Sequence, residues 1–211
     1  MAKPDTGWYD RAKNAQKLSV FSSLSKGLWG PLFPRVITDF NAFSAQLKLG
    51  VSLTTATAAP DEAENSFGGA DILFVAGDKF EFKASGQKDQ VTIGPLEQGH
   101  TRTLAWDFGK GAQNRKACIL MRANPTTGGR TIGNPCLIAF AIHEVVHALG
   151  LVEHTPNGGD LFEATPQLRA GAKNKSDDDK FEVNGGKTIP PLFLLGTTIA
   201  RIQKLWPTPI P

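Results

Sequence analysis

The spacing of apolar and polar residues predicts a chain in which helices and strands are mixed. Over 35–49, apolar side chains recur every three or four residues and therefore fall on one face of a helix. Gly50 follows directly and is a helix stop signal. The residues on this face are Val36, Phe40, Phe43 and Leu47. The pattern thus predicts an amphipathic helix that packs against a core.

Two further helices are predicted in the second half of the chain. One covers about 135–149, with Asn134 as its N-cap, Pro135 at the first helical position and Gly150 after its end. The other covers about 197–206 and has one apolar face. Its candidate cap residues are Thr197 and Thr198.

Short apolar or alternating stretches between the helices predict strands. The stretch 71–76 is apolar almost throughout, which is typical of a buried strand. Apolar and polar residues alternate over 51–55, as in a strand with one exposed face. The strand candidates are 18–21, 51–55, 71–76, 80–82, 91–93, 103–108 and 117–121. With the helices, they predict a mixed α/β or α+β domain.

Composition and charge narrow the functional classes. With 211 residues, of which 40% are hydrophobic and 20% charged, the chain suits one globular domain with a substantial core. A net charge of +3 is too small and too scattered for nucleic acid to be the main partner. No stretch approaches the roughly 18 apolar residues of a membrane span, and the N-terminus lacks the apolar region of a signal peptide. We therefore expect no membrane partner.

Two features leave alternatives open. Cys118 and Cys136 are either joined by the single disulfide that they allow or are two buried free thiols. The charged run at 175–180 is typical of a solvated loop, with a calcium site as the alternative. Nothing else in the sequence supports calcium.

The candidate chemistry is concentrated in one segment. Only four histidines occur, and His143, His147 and His154 fall within twelve consecutive residues. His143 and His147 are four apart on the predicted helix, so their imidazoles leave the same face one turn apart, as two ligands of a tetrahedral zinc ion require. Glu144 is rotated from His143 by about 100 degrees. It is therefore placed beside the metal, where it can act as a general base.

The surroundings favour a metal site over a chance motif. The flanking residues from 136 to 151 are mostly apolar, and ionisable side chains are costly to bury there without a metal or partners. Gly150 permits a left-handed turn without strain. Such a turn sends the chain back beneath the metal, so that a third ligand can come from the segment that follows.

This segment resembles the active-site motif of the metzincin clan of zinc peptidases, and most closely that of the matrixins. The clan motif H-E-x-x-H-x-x-G-x-x-H is matched at every position from His143 through Gly150. Weaker similarities extend over roughly 35–206. Residues 35–49 resemble the clan's backing helix, and 70–72 resemble its third strand. Residues 104–108 are similar to the substrate-binding edge strand, and 199–206 to the closing helix.

The resemblance implies a fold and a division of the chain. The fold would be a twisted, mostly parallel sheet with an antiparallel edge strand, a backing helix, an active-site helix and a C-terminal helix. Residues 1–34 would be an N-terminal extension with a candidate first strand, and 35–211 the catalytic domain. Within that domain, 35–150 would form the upper subdomain and 151–211 the lower one.

The resemblance also implies a function, that of a zinc-dependent endopeptidase with one catalytic zinc ion. A zinc-activated water would attack the peptide bond, with Glu144 as general base, and His154 would complete the ligand set. The polypeptide substrate would lie along the edge strand, bound by Leu104, Ala105 and Trp106. We expect a monomer, and secretion follows from the family alone. The alternative is a catalytically weak or inactive metzincin-like protein that binds zinc or a partner.

The sequence departs from the family pattern near the metal. The third ligand position of the motif holds Glu153, and the histidine comes one residue later. We favour His154 as ligand, with Glu153 as an acceptor behind it, and Glu153 as ligand is the alternative. No methionine follows the motif to form the clan's methionine turn, so we expect Leu161 to fill that place. The second zinc site of the matrixins is expected to be absent, because 77–101 contains only His100.

Regions outside the motif carry further predictions. The apolar stretch 189–195 is either the wall of a pocket for the P1′ side chain or part of the core. Tyr9, the only tyrosine, precedes the motif, so no tyrosine after it is available as a second electrophile. Asp5 and Asp10 are expected in an exposed tail, with silencing of the zinc by one of these carboxylates as the alternative.

Overall fold

A computed structural model gives the fold of the chain, and the account below is limited to the residues that it describes. They include the whole predicted active-site segment and most of the predicted strands and helices. The described residues are 5, 7–8, 16–22, 27–57, 67–84, 87–95, 97–107, 113–127, 130–155, 160–162, 167–168, 181–183, 187–189 and 192–207.

The centre of the fold is a five-stranded sheet. Its strands are β1 (Lys17–Phe21), β2 (Ser52–Thr55), β3 (Ile72–Ala76), β6 (Gly99–Asp107) and β7 (Gln113–Met121). They lie side by side in the order β2-β1-β3-β7-β6. The first four strands in that order are parallel to one another. The last strand, β6, pairs antiparallel with β7 and forms an edge of the sheet.

Three helices occur among the described residues: α1 (Trp29–Leu47), α2 (Asn134–Ala148) and α3 (Gly196–Leu205). Both α1 and α2 contribute to one large hydrophobic cluster with one face of the sheet. Helix α2 contacts α1, β6 and β7, and its residues are buried on nearly all sides. The mostly parallel sheet and the helices confirm the predicted mixed α+β class.

The other face of the sheet carries a second, smaller hydrophobic cluster. Along β3 the side chains alternate between the two clusters, with Phe74 in the large one and Leu73 and Val75 in the small one. An antiparallel hairpin of β4 (Lys79–Ala84) and β5 (Gln87–Thr92) covers the small cluster. The strands predicted at 80–82 and 91–93 are therefore longer than expected and pair with each other.

Helix α1 begins at Trp29 rather than at residue 35. Leu32 and Phe33, like Trp29, are buried, so the first turns are held by core packing despite two prolines. Pro31 lies in the first turn, where backbone N–H groups have no partner within the helix. Pro34 lies inside the helix and loses one backbone hydrogen bond. Tertiary packing therefore outweighs the unfavourable effect of the two prolines on the helix.

The helix ends also differ from the predictions. Asn134 is the first residue of α2, and its N-cap is Gly133, whose carbonyl accepts a hydrogen bond from the Leu137 N–H at 3.1 Å. Leu195 precedes α3, and neither predicted threonine makes a capping bond. Helix α1 ends at Leu47. The next residue, Lys48, is its C-cap and adopts the left-handed conformation (φ 53°), two residues before the predicted stop at Gly50.

Short strands also occur outside the central sheet, between residues 126 and 131 and between residues 167 and 189. Three short strands form an antiparallel sheet in the second of these stretches, and two others form a hairpin before α2. The charged run at 175–180 lies outside the described residues. The short strands are β8 (Thr126–Thr127), β9 (Arg130–Thr131), β10 (Gln167–Leu168), β11 (Phe181–Val183) and β12 (Lys187–Ile189).

Two open questions of the sequence concern thiols and membranes. No disulfide joins Cys118 and Cys136, and both are buried. Cys118 belongs to the small hydrophobic cluster and Cys136 to the large one, so the sheet separates the two thiols. Within the described part of the chain, no helix combines the length and the apolar character that a membrane span needs.

Candidate metal centre

Three histidines meet at the end of α2. His143 and His147 lie one turn apart on this helix. Gly150 follows with φ 118°, a conformation that residues with a Cβ rarely adopt, and the chain turns back. As a result, the Nε2 atom of His154 lies 3.1 Å from Nε2 of His143 and 3.1 Å from Nε2 of His147.

These distances suit a tetrahedral zinc ion. Nitrogen ligands bind zinc at about 2.0–2.1 Å, so two of them are separated by about 3.3–3.4 Å around a tetrahedral ion. The two separations of 3.1 Å are close to this value. The three side chains lie close enough to one another to hold one metal ion.

The hydrogen bonds on the far side of two rings fix which nitrogen is available. Nδ1 of His143 lies 2.7 Å from the Leu161 carbonyl, and Nδ1 of His147 lies 2.9 Å from the Leu151 carbonyl. Because a carbonyl only accepts, both Nδ1 atoms carry the proton and both Nε2 atoms present a lone pair. The lone pairs of His143 and His147 thus both face Nε2 of His154, and all three nitrogens lie close enough to bind one cation.

Burial keeps these imidazoles neutral. It lowers the pKa of His143 to about 4, although the Leu161 carbonyl acts in the opposite direction. Burial also lowers the pKa of His147, and the neighbouring His143 and His154 lower it further. The pKa of His154 is lowered by burial, which the charge of Glu153 opposes. Metal binding at neutral pH therefore does not have to displace a proton from these rings.

The floor of the site is aromatic. The Phe162 ring lies 5.3 Å from the His143 ring, 4.6 Å from the His147 ring and 5.3 Å from the His154 ring, measured between centroids. The side chain beneath the histidines is thus that of Phe162, whereas the prediction placed Leu161 there. Leu161 contributes its carbonyl instead, because adjacent residues in an extended turn point in different directions.

A buried carboxylate holds this floor in place. Asp160 is fully buried and accepts hydrogen bonds from the Phe162 N–H at 2.8 Å and from the Leu195 N–H at 3.2 Å. It also accepts one from the hydroxyl of Thr198, which in turn lies 2.7 Å from the hydroxyl of Thr155. The network connects the floor to the start of α3 and explains why Thr198 is not a cap.

Glu144 lies beside the histidines and is buried, with 8% of its surface exposed. The Thr101 hydroxyl lies 2.8 Å from Oε2 and 2.9 Å from the backbone carbonyl of this glutamate. Burial raises the pKa of Glu144 to about 7, an effect that the Thr101 hydrogen bond opposes. A carboxylate with a pKa near neutrality both accepts and releases a proton readily, as a general base must.

Gly99 of β6 makes room for Glu144. A Cβ atom at this position would lie 2.8 Å from Sδ of Met121 and 2.9 Å from Cγ of Glu144, closer than such atoms approach in proteins. The edge strand and α2 can therefore contact each other at this point only because residue 99 has no side chain.

Two other polar residues that the sequence analysis discussed, Glu153 and His100, stay outside the histidine cluster. The side chain of Glu153 is exposed, and its backbone carbonyl accepts a hydrogen bond from Arg201. His100 lies 3.4 Å from Glu97 in an ion-pair geometry. Among the described residues, no second group of three possible metal ligands occurs.

The predicted substrate-binding residues belong to the edge strand. Leu104, Ala105 and Trp106 lie in β6, opposite residues 114–116 of β7. Their side chains lie outside the described part of the structure. Of the predicted specificity wall 189–195, Leu194 is buried in the large hydrophobic cluster, which favours the core alternative at that position.

The N-terminal predictions have one outcome within the described residues. Asp5 is not in an exposed tail: its carboxylate binds the guanidinium of Arg201 and the Val152 N–H. These contacts occupy both carboxylate oxygens, so they do not support silencing of a zinc ion by Asp5. Tyr9 and Asp10 lie outside the described residues.

The sequence alone did not indicate four residues of the site. They lie outside the motif, in segments without a helical or strand period that would link them to it. Gly99 and Thr101 are two apart on β6 and so share one face, but the predicted edge strand began only at residue 103. The four residues are Gly99, Thr101, Asp160 and Phe162.

Comparison with known proteins adds no relative. No protein-family model matches the chain, and no curated protein matches it significantly. The resemblance to the metzincins therefore rests on the residues of the motif and the similarities around it.

Proposed function

We propose that the protein is a zinc-dependent endopeptidase of the metzincin type. His143, His147 and His154 would hold one zinc ion, and Glu144 would act as general base. The observation that carries the proposal is the convergence of three Nε2 atoms next to a buried carboxylate. A mostly parallel sheet with an antiparallel edge strand, packed against α2, supports it.

The chemistry of the proposed reaction is divided between the ion and the protein. A bound zinc ion supplies Lewis acidity, which polarises a carbonyl and lowers the pKa of a coordinated water toward about 7. Glu144 accepts the proton of the attacking water and delivers it to the leaving amine. Thr101 holds the carboxylate of Glu144 in one orientation through its hydroxyl.

The substrate proposal follows from the position of β6. This strand is the last one in the sheet, so one side of its backbone is not paired within the sheet. An extended polypeptide that added to this side would form an extra strand. Glu144 contacts Thr101 of the same strand, so a peptide bound along β6 would pass close to the proposed general base.

The proposal is tested by cleavage of a peptide library with the zinc-loaded protein and with its Glu144→Gln variant. We expect the wild type to cleave and the variant to lose activity by a factor of about 100 to 10,000, the usual contribution of a general base. Glu81→Gln is the matched control, because Glu81 is an exposed glutamate on the β4–β5 hairpin. Equal cleavage by wild type and Glu144→Gln would contradict the proposal.

One outcome would favour the alternative function. If the wild type binds one zinc ion per chain but cleaves no peptide across the library, the protein is a zinc-binding or interaction protein. A metal content near zero after incubation with zinc would exclude the endopeptidase and favour an interaction protein that binds its partner without zinc.

A further inference from the structure

An ion pair joins the beginning and the end of the described chain next to the metal centre. Oδ2 of Asp5 accepts a hydrogen bond from Nε of Arg201 at 2.8 Å, and Oδ1 accepts one from Nη2 at 2.8 Å. The two side chains thus form a two-pronged contact, the strongest geometry for an arginine and a carboxylate. Both are partly buried.

The same two side chains bind the backbone just before His154. Oδ1 of Asp5 accepts a hydrogen bond from the Val152 N–H at 3.1 Å. Nη2 of Arg201 donates one to the Glu153 carbonyl at 2.7 Å. The ion pair therefore connects to two consecutive residues of the loop between Gly150 and His154.

The neighbouring backbone groups of this loop are bound by the metal centre itself. The Leu151 carbonyl accepts from Nδ1 of His147, and the Thr155 N–H donates to the Phe162 carbonyl at 2.9 Å. Val152 and Glu153 lie between these anchors, and both are exposed. The bonds from Asp5 and Arg201 thus hold the middle of the loop.

Trp8 fixes the segment that carries Asp5. It is 2% exposed, and its Nε1 donates a hydrogen bond to the Ala148 carbonyl at 2.7 Å. This carbonyl belongs to the last turn of α2, one residue after His147. Trp8 is therefore anchored on α2, and Asp5 is anchored on Arg201 of α3.

Asp5 also balances a charge. The guanidinium of Arg201 lies 5.8 Å from the centre of the Phe162 ring, the same ring that contacts the three histidines. Without a carboxylate beside it, this cation would repel a divalent metal ion bound by His154. Asp5 offsets the repulsion while it keeps the guanidinium in place for the Glu153 carbonyl.

We propose that Asp5 and Arg201 are positioning residues for the third metal ligand. Their ion pair holds the backbone of Val152 and Glu153, so that His154 stays within reach of His143 and His147. Asp5 and Trp8 then belong to the metal centre, although they lie about 140 positions before it in the chain. This inference rests on the proposed metal centre.

Metal affinity tests the inference. The affinity for Zn²⁺ is measured by competition with a chromophoric chelator for wild type, Asp5→Asn and Arg201→Gln. We expect each variant to bind about tenfold more weakly, at the lower end of the effect of residues that orient a metal ligand. Asp89→Asn is the control, because it breaks a comparable ion pair between Asp89 of the β4–β5 hairpin and Arg102 of β6 (2.8 Å). Affinities within twofold of wild type for Asp5→Asn and Arg201→Gln would overturn the inference.

The exchanged pair Asp5→Arg with Arg201→Asp separates positioning from simple charge pairing. It restores an ion pair, but it presents a donor to the Val152 N–H and an acceptor to the Glu153 carbonyl. We expect the affinity to stay about tenfold reduced, because the backbone bonds are not restored. Recovery to the wild-type value would overturn the backbone role.

Amide hydrogen exchange distinguishes a failure of this inference from a failure of the metal centre. In the metal-free protein, the Val152 amide should exchange about tenfold faster in Asp5→Asn than in wild type, since its hydrogen bond to a carboxylate is replaced at best by a weaker one to a neutral amide oxygen. An unchanged rate would overturn the inference while zinc binding by the wild type still supports the proposed function. A wild type that binds no zinc would overturn both.

Discussion

Glu144 is the residue at which folding and catalysis make opposite demands. Its carboxylate is buried against β6, and burial raises its pKa to about 7 from an ordinary value of 4.5. Between these two values the unfolded chain is ionised while the folded protein holds the proton. Stability from this group is therefore lost as the pH rises from 4.5 to 7.

Glu144→Gln is accordingly expected to stabilise the metal-free protein at high pH. A shift of this size corresponds to about 3 kcal/mol of unfolding free energy at pH 8 as an upper limit, and to almost nothing at pH 4. Urea unfolding at both values, in the presence of a chelator, measures the difference. A gain that is the same at pH 4 and pH 8 would contradict the assigned burial of the carboxylate.

In the proposed reaction, Thr101 would act only through Glu144. Thr101→Val removes the hydroxyl at nearly constant volume, so the carboxylate loses the bond that orients it. We expect kcat to fall about tenfold, with KM and zinc affinity unchanged, because one hydrogen bond to a charged group is lost. Thr101→Ser keeps the donor and should retain most of the activity. A parallel loss of zinc affinity would indicate a structural role instead.

At the scale of elements, the site depends on how closely α2 approaches the edge strand. Gly99 and Thr101 lie on the face of β6 that contacts α2, and they are paired with Met121 and Ile119 of the large hydrophobic cluster. One residue without a side chain and one with a short polar side chain thus form the wall around Glu144. This wall forms only where β6 and α2 pack directly against each other.

Gly99→Ala tests this contact. Its methyl group would clash with Met121 and Glu144, so we expect a loss of about 1–3 kcal/mol in unfolding free energy together with a drop in activity. Gly77→Ala is the matched control, because its Cβ would meet no atom closer than 3.6 Å. Chemical denaturation of the two variants gives the comparison. Equal stability would show that the strand moves away without penalty.

The elements themselves were largely predictable, and their ends were not. Periodic spacing identified most of α1, cap and stop residues identified α2, and a continuous apolar run identified the buried strand β3. The start of α1 was missed, since burial of Trp29 outweighs the prolines near it. His143 and His147 followed from helical spacing, whereas Leu161 was chosen over Phe162 in a turn where no period relates neighbouring residues.

At the scale of the whole molecule, the metal centre joins parts of the chain that are otherwise far apart. α2 provides two histidines, the loop after Gly150 provides the third, and the Asp160 network links the floor to α3. The choice between Glu153 and His154 depends on this assembly. For that reason, the sequence alone leaves the identity of the third ligand open. In the structure, the imidazole of His154 lies next to those of His143 and His147.

Zinc should therefore stabilise the complete fold. At a free zinc concentration of 1,000 times Kd, the gain is about 4 kcal/mol, measured as a rise in the thermal midpoint over the chelated protein. His154→Ala should lose most of this gain, and Glu153→Gln should keep it, because the exposed carboxylate lies outside the cluster. The reverse order would make Glu153 the third ligand.

Anomalous scattering at the zinc edge, from a crystal grown with equimolar zinc, tests the central claim most directly. We expect one peak per chain, at about 2.0–2.1 Å from the Nε2 atoms of His143, His147 and His154. The absence of a peak between these nitrogens, or a peak bound by Glu153 with His154 turned away, would contradict the account.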